Sequence, residues 1–108
     1  MLYADTGTVQ FNELPLSLQK VLLCESNGRH EDAKGKVIVS KTNDIGIAQI
    51  NKYWHGKRAK TLGLDLHDVN DNLKYALILY TEQGLRPWVC AKILGLYVPK
   101  SLVLKTTP

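Results

Sequence analysis

Apolar positions at helical spacing dominate the first third of the chain. One face is marked by residues at steps of three and four: Leu14, Leu18, Val21 and Leu22. Glu25 continues the same spacing, Pro15 suits the start of a helix, and Gly28 suits the position just after its end. The pattern predicts a first helix that carries Glu25 on its inward face or at the rim of that face.

Shorter apolar segments follow. Residues 37–39 (Val-Ile-Val) are β-branched and predict a short strand, and residues 42–44 (Thr-Asn-Asp) predict a turn, so a small β-ribbon is expected here. Residues 45–50 are nearly apolar and predict a buried segment. Gln49 interrupts it, and a buried amide must find hydrogen-bond partners. Gly46 would allow close backbone approach at the floor of a cleft.

Three further helices are predicted. A short basic one spans residues 56–62, and Gly63 closes it. The clearest one opens at Asp68, among N-cap residues, and ends at Gly84. Its inward face is marked by Leu73, Ala76, Leu77 and Tyr80. The last runs from Trp88 to about Leu94. The expected fold is mostly α (α+β): a lead-in at residues 1–13, one domain at 14–95, and a C-terminal tail at 96–108 packed on it.

Composition limits the function classes only loosely. The 108 residues and 44% hydrophobic content fit one small soluble domain, and no apolar run approaches the roughly 20 residues that span a membrane. The net charge is +4, with clustered basic residues only at Lys57, Arg58 and Lys60. An anionic polymer such as bacterial cell wall suits this charge as well as nucleic acid does. Residues 1–10 contain no visible export signal.

The cysteines and histidines predict no metal site. Cys24 and Cys90 lie in different predicted helices, and the three histidines show no zinc-ligand spacing with them. We therefore expect no metal and no cofactor. The helices that carry the two cysteines are expected to cross. Whether the cysteines are two buried thiols or form a disulfide remains equally open. Ser26 has no histidine and aspartate at the spacing of a serine hydrolase.

Two carboxylates carry the candidate chemistry. Glu25 ends an apolar helix, where partial desolvation raises a carboxyl pKa and keeps the group protonated, as a general acid requires. Asp44 is predicted in a polar turn, where a carboxylate stays ionised. Such unlike pairs are typical of glycoside cleavage, and lysozyme is itself one of the enzymes behind that generalisation. By pattern alone, a glutamate at a helix end is more often a solvated charge.

Two motifs resemble the lysozyme-like superfamily. Glu25 and Ser26 are similar to the catalytic Glu-Ser pair of soluble lytic transglycosylases. Residues 46–50 (Gly-Ile-Ala-Gln-Ile) are similar to the Gly-Leu-Met-Gln-Ile motif of the same enzymes. Residues 44–51 resemble the chicken-type lysozyme strip Asp-Tyr-Gly-Ile-Leu-Gln-Ile-Asn. The resemblance extends over about residues 21–95. It departs at residues 91–95 (Ala-Lys-Ile-Leu-Gly), where the transglycosylases have Ala-Tyr-Asn-Ala.

The resemblance implies a lysozyme-like fold, with a helical core and a small β-ribbon beside the active-site cleft. It implies Glu25 and Asp44 as catalytic residues. It also implies a substrate-binding set: Ser26, Gln49, Asn51, Tyr53, Trp54 and Trp88. Core packing is the alternative for Trp54, and Asn72 is expected to be a structural hydrogen-bonding residue.

The expected activity is cleavage of the β-1,4 bond between N-acetylmuramic acid and N-acetylglucosamine in peptidoglycan. A lytic transglycosylase would use Glu25 as acid and then as base. A hydrolytic lysozyme would also use Asp44. A non-catalytic glycan-binding module and a nucleic-acid-binding domain rank lower. We expect a monomer in the cell envelope, periplasmic or secreted, with no membrane span and no nucleic-acid partner.

Overall fold

The computed structural model describes residues 7–97 and contains four α-helices and one small antiparallel sheet within that range. The helices are α1 (Leu16–Ser26), α2 (Lys52–Thr61), α3 (Val69–Gln83) and α4 (Val89–Ile93), and the strands are β1 (Asp44–Ile45) and β2 (Ile50–Asn51). A short 3-10 helix, Phe11–Glu13, precedes α1. The α+β class predicted from the sequence is confirmed. No helix within residues 7–97 is both long and apolar enough to cross a membrane.

Helix α1 agrees with the apolar spacing. Leu18, Val21 and Leu22 are fully buried, and the helix ends at Asn27, which adopts the left-handed conformation with φ 59°. A left-handed residue stops the helical hydrogen-bond ladder and is typical of helix C-termini. Glu25 is therefore held one residue before the helix end, at the rim of the buried face, as the spacing predicted.

Helix α3 crosses the core. Its N-cap is Asp68, whose side chain accepts a hydrogen bond from the backbone of Asp71, and Gly84 is its C-cap, so both predicted ends are confirmed. Its buried side chains lie on nearly all sides of the helix: Asn72, Leu73, Lys74, Tyr75, Ala76, Ile78 and Leu79. A helix buried in this way is surrounded by other elements. It forms the support for the β-ribbon.

The prediction of a strand at residues 37–39 is wrong. Val37 and Val39 form only isolated antiparallel bridges, to Glu31 and Ile45 respectively. Turns on both sides, at residues 32–36 and 40–43, redirect the chain after each single pair. The two-stranded ladder forms instead between β1 and β2, and Asp44, expected in a turn, is the first residue of β1.

The segment at 45–50 is buried, as predicted, but it folds back on itself. Gly46 (φ 72°) and Gln49 (φ 50°) both adopt left-handed conformations and reverse the chain between the two strands. The register then pairs Asp44 with Asn51 and Ile45 with Ile50. Apolarity alone could not reveal this turn, because it depends on backbone angles that a hydrophobic pattern does not encode.

Helix α2 begins earlier than predicted. The Asn51 side chain accepts a hydrogen bond from the backbone N–H of Trp54 at 3.0 Å and caps a helix that starts at Lys52 instead of residue 56. Helix α4 is also shorter than predicted. At the ends of the described range, Val9, Phe11 and Tyr97 pack against the core. The first six residues of the predicted lead-in and the predicted tail beyond residue 97 lie outside the described residues.

Candidate active site

Glu25 is half-buried where α1 meets α4. Its Oε2 accepts a hydrogen bond from the backbone N–H of Cys90 at 3.2 Å. Burial raises the pKa of Glu25, the Cys90 N–H opposes this, and the negative charge of Asp44 raises the pKa further. The net shift is upward, so this carboxyl stays protonated to a higher pH than an exposed glutamate does.

Asp44 occupies the opposite kind of environment. Ser40 Oγ donates to its Oδ2 at 2.7 Å, Thr42 donates to the same oxygen, and Asn51 Nδ2 donates to Oδ1 at 3.0 Å. Burial alone would raise the pKa of Asp44, but these three hydrogen bonds to the charged form outweigh it and lower the pKa. Asp44 is therefore ionised over a wide pH range.

A cleft of about 380 Å³ lies beside this carboxylate. Five of the eight predicted site residues line it: Asp44, Gln49, Asn51, Trp54 and Trp88. Glu25 is not among the lining residues, although the charge of Asp44 acts on its pKa. Of the two carboxyls, Asp44 lines the cleft and Glu25 does not. Glu25 lies at the junction of α1 and α4, near enough to Asp44 for the charge of Asp44 to raise the pKa of Glu25.

The aromatic residues divide into exposed and buried groups. Trp54 is 74% exposed and Tyr53 is 80% exposed, and their rings meet edge to face with centroids 4.9 Å apart. Core packing of Trp54 is therefore excluded, and its indole is available to a ligand. Trp88 is buried, and its Nε1–H donates to the carbonyl of Ala48 at 2.9 Å, which ties the start of α4 to the turn between the strands.

Gln49 and Ser26 make internal hydrogen bonds. Gln49 Nε2 donates to the carbonyls of Asp44 and Gly46, at 3.1 and 3.0 Å, and so stabilises the turn from inside. Ser26 Oγ lies 2.6 Å from the carbonyl of Ile47 and does not line the cleft. In this arrangement Ser26 holds the end of α1 against the turn, and it contributes no wall to the cleft.

Cys24 and Cys90 form a disulfide, with Cα atoms 6.0 Å apart. The predicted approach of their helices is confirmed, and the choice that the sequence left open is decided in favour of the bond. Since Cys90 also donates its backbone N–H to Glu25, the bridge fixes this donor beside the carboxyl. The disulfide is thus part of the site's construction.

Besides Gln83, sequence reasoning missed one polar residue of the cleft, His55. It lines the cavity together with Trp54, and its Nδ1 lies 2.9 Å from the hydroxyl of Tyr75. His55 follows the predicted site residue Asn51 by four positions, and residues four apart share one face of a helix. An earlier start of the predicted helix would therefore have placed His55 at the site. The helix was predicted to begin after His55, so this relation was not visible.

Within residues 7–97, no three side chains of the types His, Cys, Asp and Glu come together in a group that could hold a metal ion. Comparison of the chain with family models, with curated proteins and with solved structures finds no match.

Proposed function

We propose that this protein cleaves the β-1,4 bond between N-acetylmuramic acid and N-acetylglucosamine in peptidoglycan, as a lytic transglycosylase. The observation that carries the proposal is the contrast between two carboxyl environments. Glu25 is half-buried with one backbone N–H donor, whereas Asp44 lies in the cleft wall with three side-chain donors. The pKa of Glu25 is accordingly raised and that of Asp44 is lowered. Opposed environments of this kind separate an acid from an ionised partner at one site. The resemblance of the surrounding motifs supplies the substrate class.

In the proposed reaction, Glu25 donates its proton to the leaving glycosidic oxygen. The resulting carboxylate then accepts the proton of the muramoyl 6-hydroxyl, which attacks the anomeric carbon and closes an anhydro ring. Asp44, as a fixed negative charge, stabilises the oxocarbenium-like transition state. The exposed face of Trp54 suits the apolar face of a pyranose ring. Asp44 has hydrogen-bond donors at both oxygens, which suits an electrostatic role better than nucleophilic attack.

Hydrolysis by a lysozyme mechanism is the second candidate. The observation that favours it is an ionised Asp44 in the cleft wall, where a nucleophile or ion-pair partner would stand. Water would then complete the reaction. Both candidates act on a cell-envelope polymer, and we propose a monomeric enzyme acting in the periplasm or outside the cell.

Mass analysis of muropeptides released from purified peptidoglycan tests both candidates together. A transglycosylase releases anhydro products that are lighter by one water than hydrolysed ones. We expect anhydro ends from the wild-type protein. Hydrolysed ends would replace the first candidate with the second, and the absence of any released muropeptide would contradict both.

A further inference from the structure

A polar network connects the cleft to the buried helix α3. His55, on α2, faces Tyr75 on α3, with Nδ1 and the phenolic oxygen 2.9 Å apart and the rings at 63°. The guanidinium of Arg58 lies over the Tyr75 ring, 5.9 Å from its centroid. Glu82 holds Arg58 in place through a two-point hydrogen-bonded ion pair.

The contact between Tyr75 and His55 favours one tautomer of His55, the one in which Tyr75 is the donor. The phenolic proton of this fully buried tyrosine needs an acceptor, and His55 Nδ1 is at hydrogen-bond distance. If Tyr75 donates to Nδ1, the neutral imidazole carries its proton on Nε2.

His55 remains neutral in this setting. Burial lowers its pKa, the positive charge of Arg58 lowers it further, and the negative charge of Glu82 offsets only part of this. Of the two ring nitrogens, Nδ1 is hydrogen-bonded to Tyr75. The other nitrogen, Nε2, belongs to a ring that lines the same cleft as Asp44 and Trp54.

We propose that His55 is a glycan-binding residue of this cleft, whose Nε2–H donates a hydrogen bond to an acceptor oxygen of the sugar, with Tyr75 as the positioning residue. The inference rests on the proposed function, since it takes the glycan as the ligand. Acceptor oxygens occur in these sugars as acetamido carbonyls and hydroxyls. In this arrangement one sugar ring would pack on the exposed indole of Trp54. The Nε2–H of His55 would then favour the orientations of the glycan that place an acceptor oxygen beside His55.

Two substitutions at His55 separate the roles of its nitrogens. In His55→Gln the amide nitrogen reaches the position of Nε2, whereas in His55→Asn it reaches only the position of Nδ1. We expect the dissociation constant for N-acetylglucosamine tetramer, measured by calorimetry, to rise about 3- to 10-fold in His55→Asn, the usual value of one hydrogen bond. His55→Gln should stay within about 2-fold of the wild type. His67→Asn, at an exposed histidine outside the cleft, is the control.

The tautomer has a readout that does not depend on activity. The ¹⁵N chemical shifts of the His55 ring should show an unprotonated Nδ1 and a protonated Nε2. Tyr75→Phe preserves the buried ring and removes the hydroxyl, so the fixed pattern should be lost and tetramer affinity should fall although Tyr75 does not line the cleft. The reverse tautomer in the wild type, or equal affinity losses in His55→Gln and His55→Asn, would overturn the inference.

Its failure is distinguishable from failure of the proposed function. A wild-type protein that releases muropeptides, together with His55 variants that bind the tetramer normally, refutes the role of His55 and leaves the enzyme assignment standing. A protein that binds the tetramer in a His55-dependent way without releasing muropeptides refutes catalysis and supports the binding role. A protein that does neither refutes both.

Discussion

At the scale of single residues, Glu25 is the group on which the proposed chemistry depends. Glu25→Gln retains the size and polarity of the side chain but cannot exchange the proton, so lysis of peptidoglycan should fall at least about 100-fold. Circular dichroism and thermal unfolding should remain close to wild type. Glu31→Gln, at an exposed glutamate, is the matched control. Normal turnover in a folded Glu25→Gln protein would refute the assignment.

Asp44 acts on Glu25 through its charge. Because the negative charge of Asp44 raises the pKa of Glu25, Asp44→Asn should lower that pKa toward the ordinary glutamate value. A general acid works only while protonated, so the alkaline limb of the pH–activity profile should move to lower pH. Titration of the Glu25 carboxyl carbon by NMR measures the shift directly, and an unchanged or higher pKa would contradict the coupling.

The same variant distinguishes the two mechanisms. In the proposed transglycosylase, Asp44→Asn should keep part of its activity and still release anhydro products. Complete loss of turnover in a folded protein would instead favour a mechanism in which Asp44 is the nucleophile.

At the scale of elements, the turn between β1 and β2 depends on Gly46. A Cβ added there would lie 2.4 Å from His30 Cε1 and 2.6 Å from Asn72 Nδ2, and the positive φ is itself unfavourable for alanine. We expect Gly46→Ala to lower the free energy of unfolding by at least about 2 kcal/mol. Denaturant unfolding measures this, with the slope of the transition compared to detect a change in the unfolded state.

Gly35 provides the control for that experiment. It has a similarly positive φ of 80°, but an added Cβ would meet no atom within 4 Å. Gly35→Ala should therefore cost about 1 kcal/mol, for the backbone conformation alone. Equal losses at Gly46 and Gly35 would mean that the close contacts with His30 and Asn72 do not matter.

The turn approaches α3 closely because Asn72, on α3, hydrogen-bonds to its backbone. Asn72 is fully buried, donates to the carbonyls of Ile45 and Leu66, and accepts from the backbone N–H of Ala48, each at 2.9 Å. Its predicted structural role is confirmed. The floor of the cleft is thus positioned by the core helix, and the ribbon's two short strands are not its only support.

At the scale of the whole molecule, the disulfide joins helices α1 and α4. Cys24 and Cys90 are 66 positions apart, and in the chain-entropy model closing such a loop stabilises the fold by about 4 kcal/mol. Replacing both residues by serine should lower the melting temperature accordingly. Treatment with reductant should lower it in the wild type and leave the double variant unchanged. A reductant-insensitive wild type would contradict the contribution.

The amino-acid sequence by itself determined the periodic and local features. Apolar spacing predicted α1 with Glu25 near its end, and N-cap and C-cap residues gave both ends of α3, because these signals lie within a few positions of each other. The upward shift of the Glu25 pKa was predicted from the apolar residues beside it in the helix, although its largest cause, burial, depends on the contact of α1 with α4. The motifs that carry the proposed function are likewise short and contiguous.

Only the tertiary structure decided how distant segments meet. In the structure, the β-ladder lies at residues 44–51 instead of the predicted strand at 37–39, Cys24 is bonded to Cys90, and His55 contacts Tyr75. The ladder depends on the left-handed backbone angles of Gly46 and Gln49, which a hydrophobic pattern does not encode. The other two outcomes depend on contacts between different helices. The ionised state of Asp44 was predicted from its polar neighbours, and two of its three donors, Ser40 and Thr42, are indeed local. The turn of α2 that brings His55 into the cleft follows from tertiary packing, which a one-dimensional pattern does not contain.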